Sequence, residues 1–380
     1  MTTSRPTVII QEESLREGMQ IEDRFIPVAE KVRLLDALSA TGLRHIIVGS
    51  FVSPKWTPQM AEVEAVIDGF TPVDGVSYTA IVLNAKGAER RAAYGHKLTL
   101  PDPTLGRSKI HLCDVFVRRN TNRSQQDEID GMEAAVASAK EKGITHAEIS
   151  INAAWGSNWL GEFDEEERMR LLHLQYDAWT AAGIPVTRIQ IGDPMSWNTP
   201  GAMRSMMRRV VETWPEVADY HLHLHDARGM AMLSAYVAIE ELDERHSVLI
   251  DTAIGGMGGC PYCGNGRATR MIPTEDFVHL LESEGIETGM DLKALIEAGK
   301  VAEEVVGHEL WSKVTAAGPR PTGADVYPMD MPFIETFEEA QHFRLGPSVY
   351  EGALSPWREP VSSPARDEYD ARRATNQESA

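Results

Sequence analysis

The segment YHLHLHD, residues 220 to 226, carries a histidine at every second position. On a strand that spacing turns His221, His223 and His225 to one face, where two imidazoles two residues apart make a clamp for a metal ion. Histidines facing an enclosed interior with neither a metal nor hydrogen-bond partners would carry a desolvation cost, so ligation is the favoured reading. Asp226, next in sequence, is the expected partner that fixes an imidazole tautomer.

A second charged group, QEESLREGMQ at residues 11 to 20, closes an earlier apolar run with Glu12, Glu13, Arg16, Glu17 and Gln20. Alone it reads as a solvated turn. Set beside paired histidines, one of its carboxylates completes a two-imidazole, one-carboxylate set with open positions, suited to Mg or Mn, with Zn or Co as alternatives. Arg16 is then placed to stabilise an oxygen as it gains enolate charge. A third group, GGMGGCPYCGNG at residues 255 to 266, has six glycines and can bring the Cys260 thiol over a site as an acid or base. CPYC also matches a redox dithiol, but that chemistry needs the motif at the start of a helix in a small thioredoxin-like domain. Arg267 and Arg270 follow as candidates for a substrate carboxylate. In NAKGAERRAAYGHK (84 to 97), Lys86, Arg90, Arg91 and Lys97 are candidates for coenzyme A phosphates, or else a solvated helix face.

The elements that must position these groups alternate. Eight β-rich runs, residues 7–14, 44–50, 76–83, 109–117, 145–152, 187–193, 220–226 and 247–254, are each followed by a stretch with helical periodicity. Eight βα repeats predict an α/β fold, a closed (β/α)8 TIM barrel, with an open doubly wound sheet as the competitor. In a barrel the chemistry sits at the carboxyl ends of the strands, where the three charged groups fall. After the eighth strand, PTEDFVHLLESEG is expected to be the closing helix, capped by Thr274. The expected organisation is a catalytic barrel over 1–288, helices packing on it over 289–318, and an irregular arm and mobile tail over 319–380.

The 380 residues include 37 basic and 57 acidic side chains, a net charge of -20. That excludes the basic footprint that nucleic acid or an anionic membrane surface requires. Three cysteines cannot build a disulfide framework, and no run of residues suits a signal peptide or a membrane span. A soluble cytoplasmic protein acting on a small molecule is expected.

SFVSPKWTPQM (50–60), HLHD (223–226), GGCPY (258–262) and TEDFVHLLESEGIETGMDLKALIEAG (274–299) together resemble the metal-dependent lyase and synthase barrels that include 3-hydroxy-3-methylglutaryl-CoA lyase, isopropylmalate synthase and homocitrate synthase. The resemblance spans most of residues 7 to 317 and is nearest to the lyase branch. It implies a divalent ion held by Glu17, His223 and His225, with Arg16 polarising a carbonyl, Cys260 as a catalytic thiol on a mobile loop and Asp226 at the catalytic centre. It implies retro-Claisen cleavage of a 3-hydroxyacyl-CoA by a homo-oligomer, with a Claisen synthase acting on an organic acid as the alternative. A non-catalytic metal or acyl-CoA sensor is a more distant reading. Substrate is expected against Gln20, Ser50, Lys55, Asn84, Lys86 and Arg267. Three positions depart from the lyases: Glu17 stands where they have aspartate, Ile47 where they have a glutamate, and the loop GNGRATRMIP is longer, leaving Asn265 as the candidate for their asparagine ligand.

Overall fold

A computed structural model describes residues 5–263 and 269–323, together with 326, 367–369, 371, 372 and 374. The chain divides into two compact units, Met1–Pro319 and Arg320–Ala380. In the first, the strands are β1 (Thr7–Glu12), β2 (His45–Ser50), β3 (Ser77–Ile81), β4 (Leu105–His111), β5 (His146–Asn152), β6 (Gly156–Ser157), β7 (Gly161–Glu162), β8 (Val186–Asp193), β9 (Asp219–Leu224) and β10 (Ser247–Thr252). Eight of them form one parallel sheet in the order β3-β2-β1-β10-β9-β8-β5-β4, curled into a TIM-barrel-like α/β fold, while β6 and β7 make a small antiparallel hairpin. Among the described residues no helix is long and apolar enough to cross a membrane.

Alternation along the strands builds the two sides of the sheet. Ile110, Ile151, Ile191, Leu222 and Ile250 are fully buried in the core between strands and helices. Helices such as Val28–Ser39, Glu165–Ala181, Pro200–Thr213 and Ala231–Glu240 supply the other half of that core through Leu34, Leu35, Met203, Met206 and Ala235. The inward-facing residues are more polar: Gln11, Lys109, Gln190, His221, His223 and Asp251 alternate with the apolar set. Ile47, 3% exposed and outside the main core cluster, is an apolar exception on β2.

Four sequence expectations are corrected. The fourth strand ends at His111, because the Cys113 sulfur accepts the Phe116 N–H at 3.3 Å and starts a helix, Asp114–Thr121. The helical periodicity of residues 126–143 after the fourth strand predicts one helix, but the structure has two, Gln125–Asp130 and Met132–Glu141, meeting at Gly131. The first of these closes the free edge of β4: Glu128 accepts the His111 N–H at 2.9 Å, and Gln125 donates to the His111 carbonyl at 2.7 Å. The first strand ends at Glu12, and Ser14–Gly18 coil into one wide helical turn that carries Arg16 and Glu17. Finally, Thr274 is the first residue of the closing helix rather than its cap, since its hydroxyl donates to Glu12 at 2.5 Å.

Candidate active site

The turn after β1 and the end of β9 meet. His223 Nδ1 lies 2.7 Å from Asp251 Oδ2, and His225 Nδ1 hydrogen-bonds the Thr269 carbonyl. A carboxylate and a carbonyl can only accept, so each Nδ1 carries a hydrogen, and Nε2 is the atom through which each neutral ring would offer a lone pair. The two Nε2 atoms face each other at 3.3 Å, and His225 Nε2 is 3.9 Å from Glu17 Oε1. Lone pairs converging with a carboxylate oxygen repel unless a cation stands among them. Two neutral imidazoles and one carboxylate form the donor set that suits a divalent ion, so Glu17, His223 and His225 fit one.

Electrostatics around the set are strongly shaped. Burial, then His223, pushes His225 down to about 4, which leaves it neutral. Burial also works against charge on His223, but its bond to Asp251 outweighs that and raises its pKa. Asp251 is held far below the usual carboxylate range: burial opposes ionisation, but His221 at 2.8 Å and His223 outweigh it. Burial would raise Glu17 as well, yet Arg16, His225 and His223 hold it low. Arg16 is shared between Glu17 and Glu13, the latter at 3.0 Å. Burial pushes Glu13 up to about 7 despite that guanidinium.

Donor atoms of Glu13, His223 and Asp251 also lie within 4.8 Å of one another, an overlapping cluster that shares His223. There, however, Glu13 is paired to Arg16 and Asp251 already serves two imidazoles. Those acids flank the lone-pair cluster and do not complete it.

Asp226 does not reach the imidazoles. Its carboxylate accepts the Ala231 N–H at 2.7 Å at the start of the next helix, and the tautomer-fixing role expected of it falls to Asp251 and the Thr269 carbonyl. Sequence reasoning missed Asp251, although an acid inside the otherwise apolar run SVLIDTAI was a usable signal. Gln20 donates to Glu17 at 3.0 Å and so joins the cluster.

The glycine loop lies against the same turn. A Cβ on Gly258, whose φ is +109°, would stand 3.2 Å from Met271 Cγ and 3.5 Å from Glu17 Cγ, so only glycine lets the loop approach this closely. Cys260 is 7% exposed, and its N–H donates to Thr269 Oγ1 at 2.8 Å, beside the carbonyl that orients His225. The loop therefore ties the thiol's backbone to the second imidazole. Cys113, Cys260 and Cys263 are all free thiols in one small cluster with Phe116 and Met195.

The remaining candidates are bonded elsewhere, exposed, or outside the described residues. Ser50 donates to the Ile81 carbonyl at 3.3 Å, and Lys55 is exposed beside Trp56. Asn84 caps the helix Ala85–Ala92 by accepting the Gly87 N–H, and Lys86 is exposed on it. Of the other phosphate candidates, Arg90 pairs with Glu64 at 2.9 Å, Arg91 donates to the Ala80 carbonyl at 3.0 Å, and Lys97 donates to the carbonyls of Ile67, Asp68 and Phe70, each at 2.8 Å. Asn265 and Arg267 lie outside the described residues.

Residues 7–302 match the family model described as HMGL-like. The chain belongs to the HMGL-like family. It is 31% identical over 317 residues to the mitochondrial hydroxymethylglutaryl-CoA lyase of Rattus norvegicus, covering 83% of this chain and 91% of the relative. It is 32% identical over 307 residues to the 3-hydroxy-3-isohexenylglutaryl-CoA/hydroxymethylglutaryl-CoA lyase of Pseudomonas aeruginosa, covering 80% and 94%. Among solved structures, an HMG-CoA lyase from Acinetobacter baumannii in complex with coenzyme A and 3-methylmalate matches with a TM-score of 0.67 at 27% identity, over 85% of this chain and 97% of that one. The carboxyl transferase domain of Rhizobium etli pyruvate carboxylase, at 16% identity and a TM-score of 0.51, shares the fold.

Proposed function

We propose that this HMGL-like chain is a divalent-metal-dependent carbon–carbon lyase that cleaves 3-hydroxy-3-methylglutaryl-CoA or a related 3-hydroxyacyl-CoA by retro-Claisen chemistry. The observation that carries this reading is the convergence of the His223 and His225 lone pairs with Glu17, directly beside Arg16. The names of the relatives, HMG-CoA lyases from mitochondria and bacteria, support it. The bacterial relative named for an isohexenyl arm suggests that the C3 substituent is the part of the substrate that varies.

A bound divalent ion would supply Lewis acidity to the substrate oxygens. Glu17, His223 and His225 would hold it, with Asp251 keeping the His223 Nε2 lone pair directed inward. Cleavage removes the C3 hydroxyl proton to a base; the O–H pair becomes the new C=O, and the C2–C3 pair moves onto C2 as the enolate of the departing thioester. Arg16 faces the oxygen on which that charge collects, with Glu13 steadying its guanidinium. Cys260, on the loop that packs on Glu17, is the group proposed to return a proton to C2.

The test is an assay of purified protein with added Mg or Mn and 3-hydroxy-3-methylglutaryl-CoA, following acetyl-CoA release. Metal-dependent release is expected. No thioester or acid product from any branched 3-hydroxyacyl-CoA overturns the proposal.

A further inference from the structure

The cleavage step needs a base for the C3 hydroxyl proton, and most groups around the metal ligands are already committed. Asp251 accepts from Gln11 on one oxygen and from His221 and His223 on the other. Glu12 is bonded by Ser14, Thr274 and the Ile254 N–H, and Asp226 by the Ala231 N–H. Asp193, which ends β8, is bonded by Asn198 and exposes no surface through which a substrate could reach it. His221 stands two residues before His223, about 7 Å back along the strand, with Nε2 turned to Asp251. Cys260 is assigned the opposite transfer, the return of a proton to C2.

Glu13 is not used up in this way. Its N–H reaches the Thr252 carbonyl at 2.8 Å, so the ladder between β1 and β10 runs one residue past Glu12. Alternation then turns Glu13 to the inward side, with Gln11. There one carboxylate oxygen accepts from Arg16 Nη1 at 3.0 Å, which fixes the direction of the group. Among the described residues no other donor bonds this side chain, so its second oxygen is without a partner. The side chain is 5% exposed, enclosed but not sealed. Ligand atoms of Glu13 and His223 lie within 4.8 Å of each other. A substrate oxygen standing between them is within hydrogen-bond reach of the carboxylate.

We propose, building on the lyase reading, that Glu13 is the catalytic base that takes the C3 hydroxyl proton of the substrate. Its unpartnered oxygen accepts the proton, the O–H pair closes the new C=O, and the C2–C3 pair leaves on C2. Cys260 then gives its proton to C2, so one proton is taken up and one is returned. Exchange with water restores both groups. Arg16 joins the two halves of the step: it holds the base by one oxygen while facing the oxygen on which enolate charge collects. Acceptor and donor thus come from different segments, the turn after β1 and the glycine loop, with the metal ligands between them in the chain.

Glu13→Gln tests this in the full-length protein, because the amide keeps an acceptor oxygen for Arg16 but cannot take up a proton. Cleavage of 3-hydroxy-3-methylglutaryl-CoA is followed with added Mn, beside calorimetric Mn affinity and a melting curve. A base predicts that kcat falls by about 10²- to 10⁴-fold while KM and Mn affinity stay within about threefold of wild type. Glu13→Asp, which restores the charge but draws it back by one methylene, should lie between Glu13→Gln and wild type. A folded Glu13→Gln protein with kcat within about fivefold of wild type overturns the inference. So does a kcat loss matched by an equal loss of Mn affinity, which marks Glu13 as a support for the ligands only. If Glu13→Gln does not melt cooperatively, Glu13→Asp decides: a lowered kcat at unchanged KM and Mn affinity is expected, and a wild-type kcat overturns. Wild type that cleaves nothing sinks the lyase reading, whereas an active wild type with an equally active Glu13→Gln sinks only the role of Glu13.

Discussion

Replacing Asp251 with asparagine removes one charge and leaves the ligand side chains in place. The carboxylate accepts from His221 Nε2 at 2.8 Å, from His223 Nδ1 at 2.7 Å and from Gln11 Nε2 at 2.7 Å. An amide retains one acceptor oxygen for the imidazoles and turns an NH2 toward Gln11, whose own amide must then flip to accept. His223 keeps its tautomer but loses the negative charge that raises its basicity. Partners of this kind are worth about 10- to 100-fold in metal affinity, or roughly 1.4 to 2.7 kcal/mol. The metal-free fold should lose about 1 kcal/mol at each weakened bond. Calorimetric titration of metal-free Asp251→Asn with Mn, beside a melting curve, reads both. Asp226→Asn is the control, because Asp226 bonds a backbone N–H and no imidazole; its affinity should stay within about threefold of wild type. A folded Asp251→Asn protein with unchanged Mn affinity, or an equal loss in Asp226→Asn, would refute the reasoning.

Three further outcomes are expected. Gly258→Ala places a Cβ in a positive-φ backbone against Met271 and Glu17; it should cost about 1–2 kcal/mol in a melting experiment and weaken metal binding, whereas a neutral effect would remove the glycine argument. Cys260→Ser should lower kcat by about 10²- to 10⁴-fold with metal affinity unchanged, and full turnover would dismiss the thiol as proton donor. Glu275 is raised to about 7 by burial, although Gly255 N–H and Thr315 Oγ1 donate to it. The unfolded chain therefore ionises this group first, and stability should fall as pH rises from about 4.5 to 7, then level off. Glu275→Gln should flatten that decline by up to about 3 kcal/mol, measured as the difference between the two proteins' denaturation free energies at each pH; parallel pH profiles would contradict it.

The strand count was readable because seven of the eight barrel runs are apolar on alternate or all positions and are bounded by clear breaks. The fourth was misplaced for a physical reason. Its true start, LGRSK, turns Arg107 and Lys109 inward and looks like a loop, while the apolar continuation DVFV belongs to a helix started by Cys113. The histidine pair and the Glu17 turn were legible from alternation and position. Their orienting partners were not, because Asp251 and the Thr269 carbonyl come from other parts of the chain and meet the rings only through the curled sheet. The roles of Glu12 and Glu13 separate for a similar reason. The first bonds Ser14, Thr274 and the Ile254 N–H as a buried structural acid, whereas the second faces Arg16. Adjacent identical residues gave no hint of that division until the turn at Ser14–Gly18 was known.

A crystal of the protein soaked in Mn, with an anomalous-difference map, tests the central geometry most directly. One peak per chain is expected within bonding distance of His223 Nε2, His225 Nε2 and a Glu17 carboxylate oxygen, with Asp251 still on His223 Nδ1. A peak held instead by Glu13 and Asp251, or none near the two imidazoles, would contradict the account.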